Sequence, residues 1–289
     1  DGKAFYSCWA LQRIIVDENN PNYCDIDGVL YTKDMKTLLF YPMARNAVET
    51  TDGSGNKIKS ISYEIPEGVE TVRTKAFYKC SDIRSLTLPS TLKTIEEKAF
   101  FRCSISEIIL PDTLEAIGKD AFAYTALKKI DIPASVKEIG EYAFYDCNSL
   151  TEVVLPGTLT SLGESAFYSC NNLAKINIPT SLSIIPYSAF RGCISLPEIT
   201  IPGSITKIDT SAFASCSDLT TINFSYGLTS IGSYAFSGCT SLPAVSFPET
   251  LTFIGNNAFL GCKALTDIHF PSYLETISEY AFSSCEALA

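Results

Sequence analysis

The sequence predicts an α/β solenoid of stacked units, each of about 23 residues, with a parallel β-sheet on one face and short helical or 3₁₀ turns on the other. Three observations lead to this prediction. One residue pair returns at a fixed period, apolar residues hold fixed positions within each period, and proline closes one short apolar stretch in most periods. A unit of this size cannot bury its apolar face alone, so neighbouring units must cover one another.

The period is set by the pair Ala-Phe, and such self-similarity has to be read before any other feature. From residue 76 onward the pair occurs ten times at spacings of 22 or 23 residues, with its phenylalanines at Phe77, Phe100, Phe122, Phe144, Phe167, Phe190, Phe213, Phe236, Phe259 and Phe282. A cysteine stands three residues after each phenylalanine except Phe122, which is followed by Thr125. One continuous array over residues 61–289 follows from this regularity.

A strand is predicted near the start of each unit. We number the positions of each unit from its leading apolar residue, which is position 1. Positions 4 and 6 are apolar around a polar position 5, as in Ile130, Asp131 and Ile132, which is the period of a β-strand. Proline at position 7, such as Pro133, ends that strand because it cannot donate to a ladder. The later stretch of the unit, such as residues 140–147, suits one short helical or 3₁₀ turn.

Glycine is frequent at position 14, and Gly118 and Gly255 are two examples. Pro186 occupies the same position in another unit, and proline fixes φ near −65°. A positive φ is therefore not required at this position. We expect these glycines to serve close packing at a bend.

The segment before the array differs from it. Val29–Thr32 and Thr37–Tyr41 flank a polar turn at Lys33–Lys36, a pattern that predicts a β-hairpin. We divide the chain into a partial N-terminal repeat (1–22), a hairpin insert with a flexible loop at 51–56 (23–60), and the array (61–289). The chain begins at Asp1 without a methionine or a signal-peptide pattern, so we expect a processed chain or a segment of a longer one.

The unit LxxIxIPxxLxxIGxxAFxxCxx resembles the BspA-like bacterial subgroup of leucine-rich repeats, over roughly residues 61–289. Gly2-Lys3-Ala4-Phe5 with Cys8 is similar to the end of an earlier unit, and residues 28–42 to a hairpin that such proteins often carry between repeats. The resemblance implies a right-handed solenoid displayed on, or shed from, a bacterial surface, where such proteins are thought to act in adhesion and protein recognition. The family shares no catalytic residues, so the resemblance transfers no site.

Composition excludes several classes of function. The chain has 289 residues, 46% of them hydrophobic, and a formal net charge of −10. Disorder is excluded by the apolar content, and an acidic chain without a basic stripe is not expected to bind nucleic acid. No apolar run is long enough for a membrane span. The one histidine, His269, lies near Asp267, and we interpret both as surface residues; we predict no enzyme, cofactor or metal.

Ten of the eleven cysteines share one repeat position, counting Cys8, and only Cys24 does not. A disulfide framework is one interpretation, because stacked strands bring equivalent residues close enough to bridge. We favour reduced structural thiols, since equivalent side chains point the same way and Thr125 can replace one of them. Without a CxxC pair, a zinc site is not predicted.

Two rows of residues are candidates for recognition. Position 3 carries charges of alternating sign, which would be lateral neighbours in a stacked sheet: Glu107, Lys129, Glu152, Lys175 and Glu198. They form either a charged recognition strip or a self-neutralised ladder that fixes register, and we favour the ladder. Tyrosines that we expect to be exposed cluster near the predicted helical turn: Tyr142, Tyr145, Tyr168, Tyr187, Tyr234 and Tyr280. Tyrosine is enriched at protein interfaces, although scattered solvent-facing tyrosine is the commoner case.

We therefore predict a non-enzymatic, extracellular or cell-surface module that recognises a protein, including host matrix or surface proteins among its candidate ligands. A structural spacer and a glycan-binding accessory protein are the alternatives. The strand rows at positions 3 and 5 hold no tyrosine or tryptophan, which disfavours sugar binding on that face.

Overall fold

The computed structural model describes residues 4–5, 7–45, 48–51 and 57–288, and of residues 48–51 and 57–60 it describes the backbone. Residues 52–56 of the predicted loop, and Gly2 and Lys3 of the predicted partial repeat, lie outside this range. We number the coils by their phenylalanines, from coil 1 at Phe77 to coil 10 at Phe282. The strands are β1 (Tyr23–Ile26), β2 (Val29–Thr32), β3 (Thr37–Phe40), β4 (Val48–Thr51), β5 (Lys57–Glu64), β6 (Thr71–Val72), β7 (Ile83–Thr87), β8 (Thr94–Ile95), β9 (Ala116–Ile117), β10 (Lys129–Asp131), β11 (Glu138–Ile139), β12 (Glu152–Val154), β13 (Ser161–Leu162), β14 (Lys175–Ile176), β15 (Ile184–Ile185), β16 (Glu198–Ile201), β17 (Lys207–Ile208), β18 (Thr221–Phe224), β19 (Ser230–Ile231), β20 (Ala244–Ser246), β21 (Phe253–Ile254), β22 (Asp267–His269) and β23 (Thr276–Ile277).

Each coil contributes to parallel pairing at two places. The predicted strands around position 4 pair with their equivalents one coil away, as β10 does with β12. This confirms the predicted parallel arrangement. A second ladder, at positions 12 and 13, was not predicted as strand; it runs from β6 through β8, β9 and β11 to β13, and again from β15 to β23.

Proline divides both ladders. In the second ladder, the N–H of Gly163 donates to the carbonyl of Ile139 one coil earlier (2.7 Å). Pro186 stands at the equivalent position and has no N–H, and the pairing stops between β13 and β15. Pro197 and Pro243 replace donors in the same way at position 2, where the first ladder stops between β14 and β16 and between β18 and β20. At these three places proline therefore limits the lateral extent of the sheets.

The third wall of each coil contains no helix among the described residues, so the predicted helical or 3₁₀ face is wrong. Positions 16 and 20 are left-handed in all ten coils, with φ of 50–63° for non-glycine residues and 71–75° for Gly192, Gly238 and Gly261. A right-handed helix cannot pass through two left-handed residues placed four apart.

Hydrogen bonds on this wall alternate between the coil itself and its neighbour. In coil 4 the N–H of Tyr145 donates to Tyr142 of the same turn (3.0 Å), whereas the N–H of Phe144 donates to Ala166 of the next coil (2.8 Å). The wall is thus a stack of turns that are joined along the rod, rather than a row of separate helices.

The core is a column of phenylalanine rings. Adjacent rings of coils 1 to 10 lie 5.2–5.8 Å apart and close to parallel, including Phe144 to Phe167 (5.2 Å) and Phe167 to Phe190 (5.8 Å). Isoleucine, leucine and valine at positions 4 and 13 surround them and are largely buried along the array. The predicted stacking of equivalent residues is confirmed.

The N-terminal strands continue the rod. Strands β1, β2 and β3 form an antiparallel meander that contains the predicted hairpin, and β3 pairs in parallel with β6. Tyr41 then takes the place of a phenylalanine, since its ring stacks on Phe77 at 4.9 Å and its N–H donates to Ala76. The domain boundaries at residues 22 and 60 stay a prediction.

The position-14 glycines pack as predicted. A Cβ on Gly118 would lie 2.8 Å from the carbonyl carbon of Glu96, and one on Gly255 would lie 2.7 Å from the nitrogen of Ser233. Both contacts are with the backbone of the preceding coil, and neither glycine has a positive φ. Close approach of the coils therefore accounts for the glycine.

Within the described residues, we find no apolar helix of the length needed to cross a bilayer.

Candidate recognition surfaces

The charged row, Glu107, Lys129, Glu152, Lys175 and Glu198, follows position 3 along the first ladder. The register pairs Lys129 with Glu152 and Glu152 with Lys175, as expected for lateral neighbours. The Glu152 carboxylate accepts a hydrogen bond from Lys175 Nζ (2.8 Å) and forms an ion pair with Lys129 (3.4 Å). The Lys175 hydrogen bond and the charge of Lys129 lower the pKa of Glu152, and the same hydrogen bond raises the pKa of Lys175.

The two ends of the charged row lie outside this ion-pair group. Glu107 makes a single parallel bridge to Ser85, and Glu198 pairs with Thr221. Within the described part of the chain, neither carboxylate has an ion-pair partner. Only the centre of the row is therefore self-neutralised.

A second charged group was not found from the sequence. Glu70 binds Lys36 (2.5 Å) and Lys93 (2.8 Å), which lie one coil before and one coil after it beside the second ladder. These two hydrogen bonds lower the pKa of Glu70 to about 2. The charges at position 11 alternate in sign in the sequence and could have indicated this group. They were missed because the strand that follows position 11 has only two residues and no recognisable strand pattern.

Tyr145 and Tyr168 belong to a longer aromatic strip on the turn wall. The strip is formed by Tyr78, Phe101, Tyr124, Tyr145 and Tyr168, one ring from each of coils 1 to 5. Neighbouring ring centroids are 5.1–5.3 Å apart. Tyr142 packs beside it, 5.6 Å from Tyr145. All six side chains are half-buried, so Tyr142, Tyr145 and Tyr168 are less exposed than expected.

Cations stand on the aromatic strip. The Arg102 guanidinium lies over the rings of Tyr124 (4.6 Å) and Phe101 (5.6 Å), and that of Arg191 lies 5.4 Å from Tyr168. Lys79 Nζ lies 5.3 Å from the Tyr78 ring and 5.1 Å from that of Trp9. Cation–π contact of this kind is favourable and fixes the position of the charge.

The sequence identified only part of the strip. Tyr124 stands at position 20, whereas the other four rings stand at position 19, so no single repeat position contains all five. Tyr187, Tyr234 and Tyr280 are exposed, and no ring contact involves them among the described residues. The structure thus joins the candidate tyrosines 142, 145 and 168 but places them on a different wall from the charged row.

The cysteines form a buried line beside the phenylalanine column. Cys147 Sγ donates to the carbonyl oxygen of Phe122 one coil earlier (3.1 Å), and Cys170 does the same to Phe144 (3.0 Å). Burial raises the pKa of Cys147 to about 11 and that of Cys216 to about 12. Thiols held in this way are poor nucleophiles and poor metal ligands. Thr125 donates instead to Phe122 of its own coil (2.8 Å).

Other chemistry is sparse among the described residues. His269 and Asp267 are exposed on β22. No group of histidine, cysteine and acidic side chains in the described chain is arranged to hold a metal ion.

The model of the BspA-type leucine-rich repeat region matches residues 54–174 and 160–289, with six copies of its repeat. Among solved structures, a leucine-rich repeat protein from Eubacterium ventriosum is 25% identical, with a TM-score of 0.52 over 93% of this chain, which spans 56% of that protein. A leucine-rich repeat protein from Bacteroides ovatus is also 25% identical, with a TM-score of 0.44 over 95% of this chain and 93% of that one.

A leucine-rich cell surface protein from Faecalibacterium prausnitzii is 23% identical, with a TM-score of 0.46 over 94% of this chain and 95% of that one. No curated protein matches the chain. Leucine-rich repeat proteins are typically non-enzymatic modules of protein interaction. The repeat register, the stacked coils and the extent of the family match agree, and the chain belongs to the BspA-type leucine-rich repeat family.

Proposed function

We propose that this chain is a non-enzymatic module that recognises a protein at a bacterial surface or outside the cell. The aromatic strip is the observation that supports the proposal. Half-buried tyrosine rings with arginine beside them are the side chains that contribute most to binding at protein interfaces. The neutralised centre of the charged row is less suited to the task, because each of its charges already has a partner.

The extracellular location rests on the chain's membership of the BspA-type leucine-rich repeat family. Host matrix and surface proteins are the first ligands to test. A rigid rod suits such a partner, because its binding side chains are held in place before contact and lose little conformational freedom on binding.

The experiment is a binding screen of the purified chain, immobilised, against matrix proteins, surface proteins and glycans. Saturable binding of a protein that falls at least about fivefold in Tyr145→Ala and Tyr168→Ala, and stays unchanged in Tyr234→Ala, is the expected result. Tyr234 is the matched control, because it is exposed and stands outside the strip.

Two other results would overturn the proposal. Binding confined to glycans would assign the chain to the accessory proteins that bind sugars. A folded chain that binds nothing in the screen would favour a structural spacer. Glu152→Gln and Lys175→Met test the charged row in the same assay, and we expect both to bind as the unchanged chain does.

A further inference from the structure

We infer that the aromatic strip and its cations form a docking surface for an extended acidic peptide segment of a partner protein. This inference rests on the proposed function and adds the chemistry of the ligand. The docking surface is confined to the turn wall of coils 1 to 5.

The charge of the strip favours an anionic ligand. Lys79, Arg102 and Arg191 stand along it, and within the described residues none of the three has a carboxylate at ion-pair distance. Their charges are held over ring faces, whereas Lys98 of the same wall is neutralised by Glu97 and Asp120. The chain as a whole carries −10, so this patch runs against the overall charge.

The ring geometry favours a peptide over a sugar. Tyr78 and Phe101 stack at an interplanar angle of 12°, and Arg102 covers faces of Phe101 and Tyr124. Sugars bind on open aromatic faces, whereas here the faces are covered by neighbouring rings and cations. The strip presents ring edges, tyrosine hydroxyls and guanidinium N–H groups to a ligand. The hydroxyls and the guanidinium groups can donate hydrogen bonds to backbone carbonyls and carboxylates.

The extent of the strip sets the size of the ligand. Its five rings span on the order of 20 Å at the spacing of stacked strands, the length of roughly six extended residues. Beyond Arg191, position 19 holds Ala214, Ser237, Leu260 and Ser283, so the aromatic surface ends at coil 5. Asp146 stands at position 20, the position of Lys79 and Arg102 in their coils, and it marks a point where a ligand carboxylate would be repelled.

The test uses the whole chain and a fluorescein-labelled peptide rich in Asp and Glu, followed by fluorescence anisotropy. We expect saturable binding that weakens with salt and disappears when every Asp and Glu of the peptide is replaced by Asn and Gln. Arg102→Ala and Tyr124→Ala should each weaken binding at least about fivefold. Lys263→Ala is the matched control, because Lys263 pairs with Glu286 far along the rod, and it should stay within about twofold.

Folding is checked by the urea midpoint of each variant, which should move little for the exposed Arg102. Asp146→Asn serves as a second variant that removes no contact of the core, and it should strengthen binding of the acidic peptide. An unchanged affinity in Arg102→Ala, or no saturable binding of the acidic peptide, would overturn the inference.

The two proposals fail separately. A protein ligand that depends on Tyr145 but is not displaced by the acidic peptide would leave the proposed function standing and reject this inference. Stronger binding of a sulfated oligosaccharide such as heparin than of the acidic peptide, with the same dependence on Arg102, would reject the peptide as the ligand.

Discussion

The phenylalanine at position 18 is the residue on which coil stacking depends most. Phe167 is fully buried between Phe144 and Phe190. Replacing it by alanine leaves a cavity that rigid neighbouring coils cannot fill, so we expect Phe167→Ala to lower the free energy of unfolding by about 3–5 kcal/mol. Urea unfolding measures this, and Tyr187→Ala, an exposed residue of the same wall, should change it by less than about 1 kcal/mol. A loss for Phe167→Ala as small as that control would contradict the stacked core.

The left-handed residues at positions 16 and 20 impose a second constraint on the side chains that the turns accept. Ser169 has a φ of 59°, and valine is strained there by its branched Cβ. We expect Ser169→Val to destabilise the chain by about 1–3 kcal/mol, whereas Ser169→Gly should be neutral or stabilising. Ser161→Val, on exposed strand β13, is the control and should be tolerated. Equal thermal stability of the two valine variants would show that the turn geometry is wrong.

Among the strands, the sequence predicted those long enough to alternate between buried and exposed residues, and it missed those that are too short to alternate. Around Ile130, apolar and polar residues alternate, a proline follows at position 7, and the same apolar positions recur in the other units. The register of this strand could therefore be predicted directly from the sequence. Strands such as β13 have only two residues and cannot show alternation. The turn at residues 140–147 has the composition of a short helix, and its left-handed positions are occupied by Tyr142 and Asp146, residue types that also occur in helices.

The ladders also hold charges in register, and Glu70 gives the clearest case. Its folded pKa lies near 2, below the ordinary 4.5, because Lys36 and Lys93 both donate to it. The stabilisation from these contacts is therefore present above pH 4.5 and is lost as the pH falls toward 2. We expect Lys93→Met to raise the pKa of Glu70 toward 4.5, as measured by NMR titration of its side chain. The same substitution at Lys263 should leave it unchanged, and an ordinary pKa in the unaltered chain would refute the pairing.

For the whole molecule, each coil contacts mainly its neighbours, so stability is a sum of coil and interface terms rather than the property of one central core. The phenylalanine column and the turn wall cross every coil boundary in the middle of the array, and at least one of the two ladders continues across each of these boundaries. In coil 10, Ile277 and Phe270 are about half exposed, whereas the equivalent residues of coil 6, Ile185 and Ile178, are buried. Opening should therefore begin at this coil, with the central coils opening last.

The buried thiols make this order measurable. Cys147, Cys170 and Cys193 are fully buried and bonded to backbone carbonyls, whereas Cys285 is 8% exposed and Cys8 and Cys24 are half-buried. Because only an exposed thiolate reacts, we expect labelling by a thiol reagent at pH 8 in rising urea to modify Cys8 and Cys24 first, then Cys285, and the three central cysteines only at the main unfolding transition. Mass spectrometry of the digested protein gives the order. Labelling of Cys170 in the native chain as fast as that of Cys24 would show that the coils at the centre of the rod open independently.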